Sequence, residues 1–213
     1  MYILPSKMLF CGAIGKNPPE KLGRSSVDLI NEGMTMCLKI ASTQDDNSQV
    51  ILVAGYESGH ACLYNISASS WSLLYCFKSH SQPVLSVAIH PSQDSFYSSS
   101  ADANLAHHPI AIATLPPKVV NMKHSGRTCL SVREDGRLLL SAGWDGCGRI
   151  YSTTTLRQVA VLKWHTGGVE VAGFSRLIEG KIYVVLGGKD AKLSMWDVFN
   201  DDRKHNERSR SFT

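Results

Sequence analysis

A period of about 43 residues runs through most of this 213-residue chain and restricts its fold more than any other feature. Small-residue turns leading into short alternating strands read GYESGHACLYN at 55–65, SSADANLAHHP at 99–109, AGWDGCGRIYS at 142–152 and GGKDAKLSMWD at 187–197. The acidic-turn positions Ser58, Asp102, Asp145 and Asp190 lie 44, 43 and 45 residues apart. Ring-bearing positions six residues later, Tyr64, His108, Tyr151 and Trp196, keep the same spacing. His80, His124 and His165 form a third series, spaced 44 and 41. Three markers share one period, so each period is one unit that packs on the next.

Within a period the pattern is β. Residues 83–89 alternate before His90-Pro91, and 128–132 alternate before Glu134-Asp135-Gly136. Residues 137–142, the Trp144-Asp145-Gly146 turn, 149–152 and 158–163 complete four short strands broken by turn residues. No run in 33–199 carries apolar residues at helical spacing. Four antiparallel strands at this length predict an all-β chain of β-propeller blades over 33–76, 77–120, 121–163 and 164–199. Residues 1–32 read as one or two partial strands and a long Pro, Gly and Ser loop. The charged stretch 200–213 reads as a solvated tail.

These residues resemble the WD-repeat family. The third period matches best, with His124, Ser141, Asp145 and Tyr151 in the family's slots, and the fourth carries His165, Asp190 and the literal Trp196-Asp197. Ser58 departs from the pattern, as does His108-Pro109 in place of Trp-Asp. MCLKI (36–40), ILVAGYESGHACLYN (51–65), LLLSAGWDGCGRIYSTTTLRQVAVLKWH (138–165) and LGGKDAKLSMWDVF (186–199) resemble one branch more closely. That branch is the fungal ASTRA-associated WD-repeat subunit family and its animal relative, the G-protein β-subunit-like protein. The resemblance implies a nuclear scaffold, also present in the cytoplasm, in an assembly involved in chromatin remodelling and maturation of phosphatidylinositol-kinase-like kinases. Implied partners are the phosphatidylinositol-kinase-like protein, RuvB-like ATPases and kinase-maturation cochaperones. The rival reading is a generic WD-repeat adaptor, a ubiquitin-ligase receptor or a G-protein-β-like scaffold. Seven blades, the family's usual number, need roughly 300 residues, so four blades read as the C-terminal part of a longer propeller.

The resemblance also implies a hydrogen-bonded staple in each blade, running from Trp or Tyr through Ser or Thr and His to Asp. The physics is that turn amides need acceptors and a buried network must be fully satisfied. Candidates are His124, Ser141, Asp145 and Tyr151 in the third period, His165, Asp190 and Trp196 in the fourth, and His80 with Asp102 in the second. A Ser-His-Asp hydrolase is the sharp alternative. An active site has no reason to recur every ~43 residues, whereas a staple does, and no G-x-S-x-G turn is present. The chain is therefore expected to be non-catalytic.

Composition narrows the rest. A 43% hydrophobic content supports a core, and no apolar run approaches the ~20 residues of a membrane span. A net charge of +4 does not demand a nucleic-acid partner, and none is expected. Six scattered cysteines without C-x-x-C predict free thiols in apolar packing. GAIGK and GGK do not fit a phosphate loop, because Asn17 and Asp190 follow the lysines. His107 and His108 are expected on opposite strand faces, so no metal and no cofactor is expected. The residues just before the turn acid, Glu57, Trp144 and Lys189, are candidate partner contacts, with Trp144 as anchor.

Overall fold

The computed structural model describes residues 33–42, 50–66, 71–110 and 115–199, so the readings for 1–32 and 200–213 fall outside the described residues. The described residues form fifteen strands and no helix. The first sheet is β1 (Thr35–Ser42), β2 (Val50–Tyr56), β3 (His60–Ile66) and β4 (Trp71–Lys78). The second is β5 (Val84–Ile89), β6 (Ser95–Ser100), β7 (Asn104–Pro109) and β8 (Lys118–Asn121). The third is β9 (Arg127–Val132), β10 (Leu138–Gly143), β11 (Cys147–Ser152) and β12 (Gln158–Lys163). The fourth has β13 (Val169–Phe174), β14 (Tyr183–Gly188) and β15 (Leu193–Asp197). Each sheet is an antiparallel meander in chain order, the arrangement that short turns permit.

The first strands of successive sheets touch in series, β1 on β5, β5 on β9 and β9 on β13. That places the sheets as blades side by side, with the core between them. Val53, Leu63, Val84 and Phe96 pack between the first and second blades. Tyr97, Leu105, Leu139 and Tyr151 pack between the second and third. Leu140, Ile150, Val184 and Leu186 pack between the third and fourth. An inner blade buries both faces, which is why β10, LLLSAG, is buried throughout. The end blades leave one face open. Met36, Leu38 and Ile40 are exposed on β1, as are Val171, Leu193 and Met195 on the fourth blade.

The β2–β3 turn shows how sequence sets geometry locally. Gly59 has φ +87°, and a Cβ there would lie 2.1 Å from the His80 carbonyl oxygen. Only glycine meets both demands. One cysteine expectation is corrected here. Cys62 and Cys76 face each other across β3 and β4 with Cα atoms 4.2 Å apart, joined as a disulfide. The pairing register brings together two residues separated by 14 in sequence. Cys37, Cys129 and Cys147 are free.

Candidate functional site

In every blade the residue four before the turn position pairs across the hairpin with the residue four after it. The pairs are Ala54 with Cys62, Ser98 with Ala106, Ser141 with Arg149, and Leu186 with Ser194. What occupies this pair decides whether the blade's histidine finds a hydroxyl for the ring nitrogen that faces away from its carboxylate.

In the second blade a hydroxyl faces a small residue, and the full chain forms. The Tyr75 hydroxyl lies 3.0 Å from His108 Nδ1. His108 Nε2 is 2.8 Å from Ser98 Oγ, which is 2.8 Å from His80 Nε2. His80 Nδ1 is 3.2 Å from Asp102 Oδ1. With both imidazoles neutral, every proton is donated in one direction, from Tyr75 through His108, Ser98 and His80 to Asp102. Asp102 then accepts from the backbone amides of Ser81 at 3.0 Å and Asn104 at 2.8 Å, closing the turn onto the blade's lead-in loop. Ser98, His108 and Tyr75 belong to this network and were not among the sequence candidates. Ser98 stands four before Asp102 as Ser141 does before Asp145, so the register held that signal. Tyr75 comes from the preceding blade, and nothing in its local sequence marks it.

The fourth blade reaches the same end by another route. Leu186 fills the strand position, and the hydroxyl comes from its partner Ser194. Trp196 Nε1 donates to Ser194 Oγ at 2.9 Å, Ser194 lies 3.0 Å from His165 Nε2, and His165 Nδ1 is 2.9 Å from Asp190 Oδ1. The first blade has Ser58 in place of the turn aspartate, and its Oγ meets His60 Nδ1 at 2.8 Å.

The third blade, nearest to the family pattern in sequence, is built differently. Arg149 stands where the second blade has Ala106, and it takes Asp145 with two hydrogen bonds, one at 2.9 Å from Nη1 to Oδ1. His124 stays 3.6 Å from Asp145 and half exposed. Tyr151 accepts from Arg127 at 3.5 Å rather than joining Ser141. The expected His124, Ser141, Asp145 and Tyr151 chain is thus replaced by an ion pair, because the Arg149 guanidinium takes the carboxylate with two charge-assisted hydrogen bonds while His124 stays beyond hydrogen-bond reach.

Charge and burial set the pH behaviour. Burial holds His80 below the usual histidine value of 6.5, against the opposing pull of Asp102. Burial, with the neighbouring His80 and His107, holds His108 well below it. Burial tends to raise Asp102, but amide and His80 hydrogen bonds overcome it and leave the carboxyl below 3.8. The unfolded rings take protons near 6.5, while the folded rings do so only at lower pH. Stability is therefore present above that value and lost as pH falls below it, with a second loss below about 4 as Asp102 is protonated. Urea melts at pH 8, 5.5 and 4 should show a falling midpoint, and equal midpoints at pH 8 and 5.5 would refute this.

Ser98 is fully buried, and its oxygen already serves two histidines. Among the described residues no group of three or more His, Cys, Asp or Glu side chains could hold a metal ion. His108 stacks on Phe96 while His107 lies against Tyr97. At the rim, Trp144 is 49% exposed, and a Cβ on Gly126 would strike its indole. Lys189 pairs with Glu170 at 3.2 Å, and Glu57 is exposed.

The WD domain, G-beta repeat family matches residues 71–106 and 117–152. Among curated proteins the chain is similar to ASTRA-associated protein 1 of Verticillium alfalfae, 38% identical over 208 residues that cover 78% of this chain and 51% of that protein. The protein of that name from Schizosaccharomyces japonicus is 37% identical, covering 71% of this chain and 45% of its own length. The one from Schizosaccharomyces pombe is 34% identical, covering 85% and 50%. The chain spans about half the length of the curated relatives it matches.

Proposed function

Because this chain is a WD-repeat protein that resembles the fungal ASTRA-associated protein 1 family, we propose that it serves as a non-catalytic subunit of an ASTRA-type assembly. The observation that carries the reading is the Asp102 network. Its polar groups are turned inward and consumed in holding blades together, which suits a rigid scaffold and leaves no free nucleophile there. The open apolar faces of β1 and of the fourth blade are where further blades of a longer propeller would pack. The partners proposed are the phosphatidylinositol-kinase-like protein, RuvB-like ATPases and kinase-maturation cochaperones. The site of action proposed is the nucleus, with a cytoplasmic pool.

Trp144 is the proposed anchor on the rim, half exposed and braced on Gly126, with Lys189 as its charged flank and Glu57 on the first blade. Affinity purification of the tagged protein with mass spectrometry should recover the RuvB-like ATPases. Trp144→Ala should weaken that recovery several-fold, since buried interface aromatics carry about 2 kcal/mol or more, and it should leave the melting curve nearly unmoved. Recovery of ubiquitin-ligase subunits in place of the ATPases would overturn the reading.

A further inference from the structure

The third blade carries two arginines where its siblings carry small or apolar side chains. Arg127 opens β9 at the place where Val84 opens β5 and Val169 opens β13. Both valines are fully buried, and Arg127 is only 2% exposed. No carboxylate is paired with it among the described residues. Its terminal nitrogens reach the Ala103 carbonyl and the Tyr151 hydroxyl, each at 3.5 Å, and its buried Nε has no hydrogen-bond partner. A buried guanidinium held this loosely is costly unless something else satisfies it.

Arg127 lines a cavity of about 580 Å³ between the end of β8 and strands β11 and β12. Lys123, Arg149 and Lys163 line the same cavity, as does His124. Among the described residues Asp145 is its only acidic lining residue, and Arg149 already occupies that carboxylate. The cavity therefore holds surplus positive charge around an arginine with an unused donor.

We propose that this cavity binds a phosphate monoester, with Arg127 as the buried anchor and Lys123 and Lys163 as flanking cations. Phosphate fits better than a simple halide because the guanidinium fork matches two oxygens of a tetrahedral anion. Apolar lining by Met122 and Val161, and a volume larger than one phosphate needs, leave room for the residues beside a phosphorylated serine or threonine. The same chemistry is offered by free phosphate, and the experiment separates the two sources.

The full chain is titrated calorimetrically, at constant ionic strength, with inorganic phosphate, with a serine-phosphorylated peptide and with its unphosphorylated twin. The expected result is binding of the phosphorylated peptide at least tenfold tighter than of inorganic phosphate, and no binding of the twin. Equal affinity for the two phosphates would keep the site and assign it to the free anion. Arg127→Val should weaken phosphate binding at least tenfold while melting no lower than the parent, because the second and fourth blades bury valine at this position. If that variant fails to fold, Lys123→Gln and Lys163→Gln decide, each expected to weaken binding several-fold. Absence of phosphate binding at millimolar concentration, or unchanged affinity in the lysine variants or in a folded Arg127→Val, overturns the proposal.

Discussion

Replacing His108 with alanine should destabilise the protein by about 3 kcal/mol or more, enough to consume a large share of a typical domain's stability. The ring is fully buried, stacked on Phe96 with centroids 4.2 Å apart and set edge-on to Tyr75 at 5.6 Å. Removing it opens a cavity between the first two blades and strands the Tyr75 hydroxyl, each with its own cost. Ser98 also loses one of its two histidine partners. Ser98→Ala should cost less, about 1–2 kcal/mol, because it breaks the chain without opening a ring-sized void. Chemical denaturation of both variants at pH 7.5 checks the order. If Ser98→Ala proved the more damaging, the network rather than the packing would dominate.

The second large effect is expected at Asp145, for a reason that only the structure supplies. Arg149 is buried and held by this carboxylate, so Asp145→Ala leaves a guanidinium unpaired beside a cavity that admits water. The cost should be about 2 kcal/mol, below that of a fully dry pair because Asp145 is itself about one-third exposed. In an Arg149→Ala background the same change should cost only about 1 kcal/mol, since the contacts then lost are the His124 approach at 3.6 Å and the Cys147 amide bond to the carboxylate. A double-mutant cycle reads this directly. Additive effects would mean that Asp145 acts on its turn and on His124, the role that the repeat pattern alone implies.

Much of the architecture is written in the period. Spacing of turns, rings and histidines implies four-stranded units, and among the described residues three antiparallel sheets have four strands while the fourth has three. The same spacing aligned His80 with Asp102 and His165 with Asp190, which lie 3.2 and 2.9 Å apart. Both facts are local or periodic. A turn acid and a lead-in histidine recur at fixed separation, and the hairpin between them is short.

What the spacing could not decide is which neighbour each group finds once the blades pack. Tyr75 belongs to one blade and completes the network of the next, a contact across 33 residues that no repeat alignment shows. Cys62 and Cys76 meet through strand register alone. Sequence placed the best staple in the third blade, but cross-strand pairing set Arg149 opposite Ser141, and the arginine took the carboxylate. Sequence by itself determined the repeating strand unit, because alternation and turn chemistry act over a few residues. Tertiary structure decided which polar groups pair and which arginine is left buried with a free donor, because hydrogen bonds and burial depend on side chains brought together from distant parts of the chain.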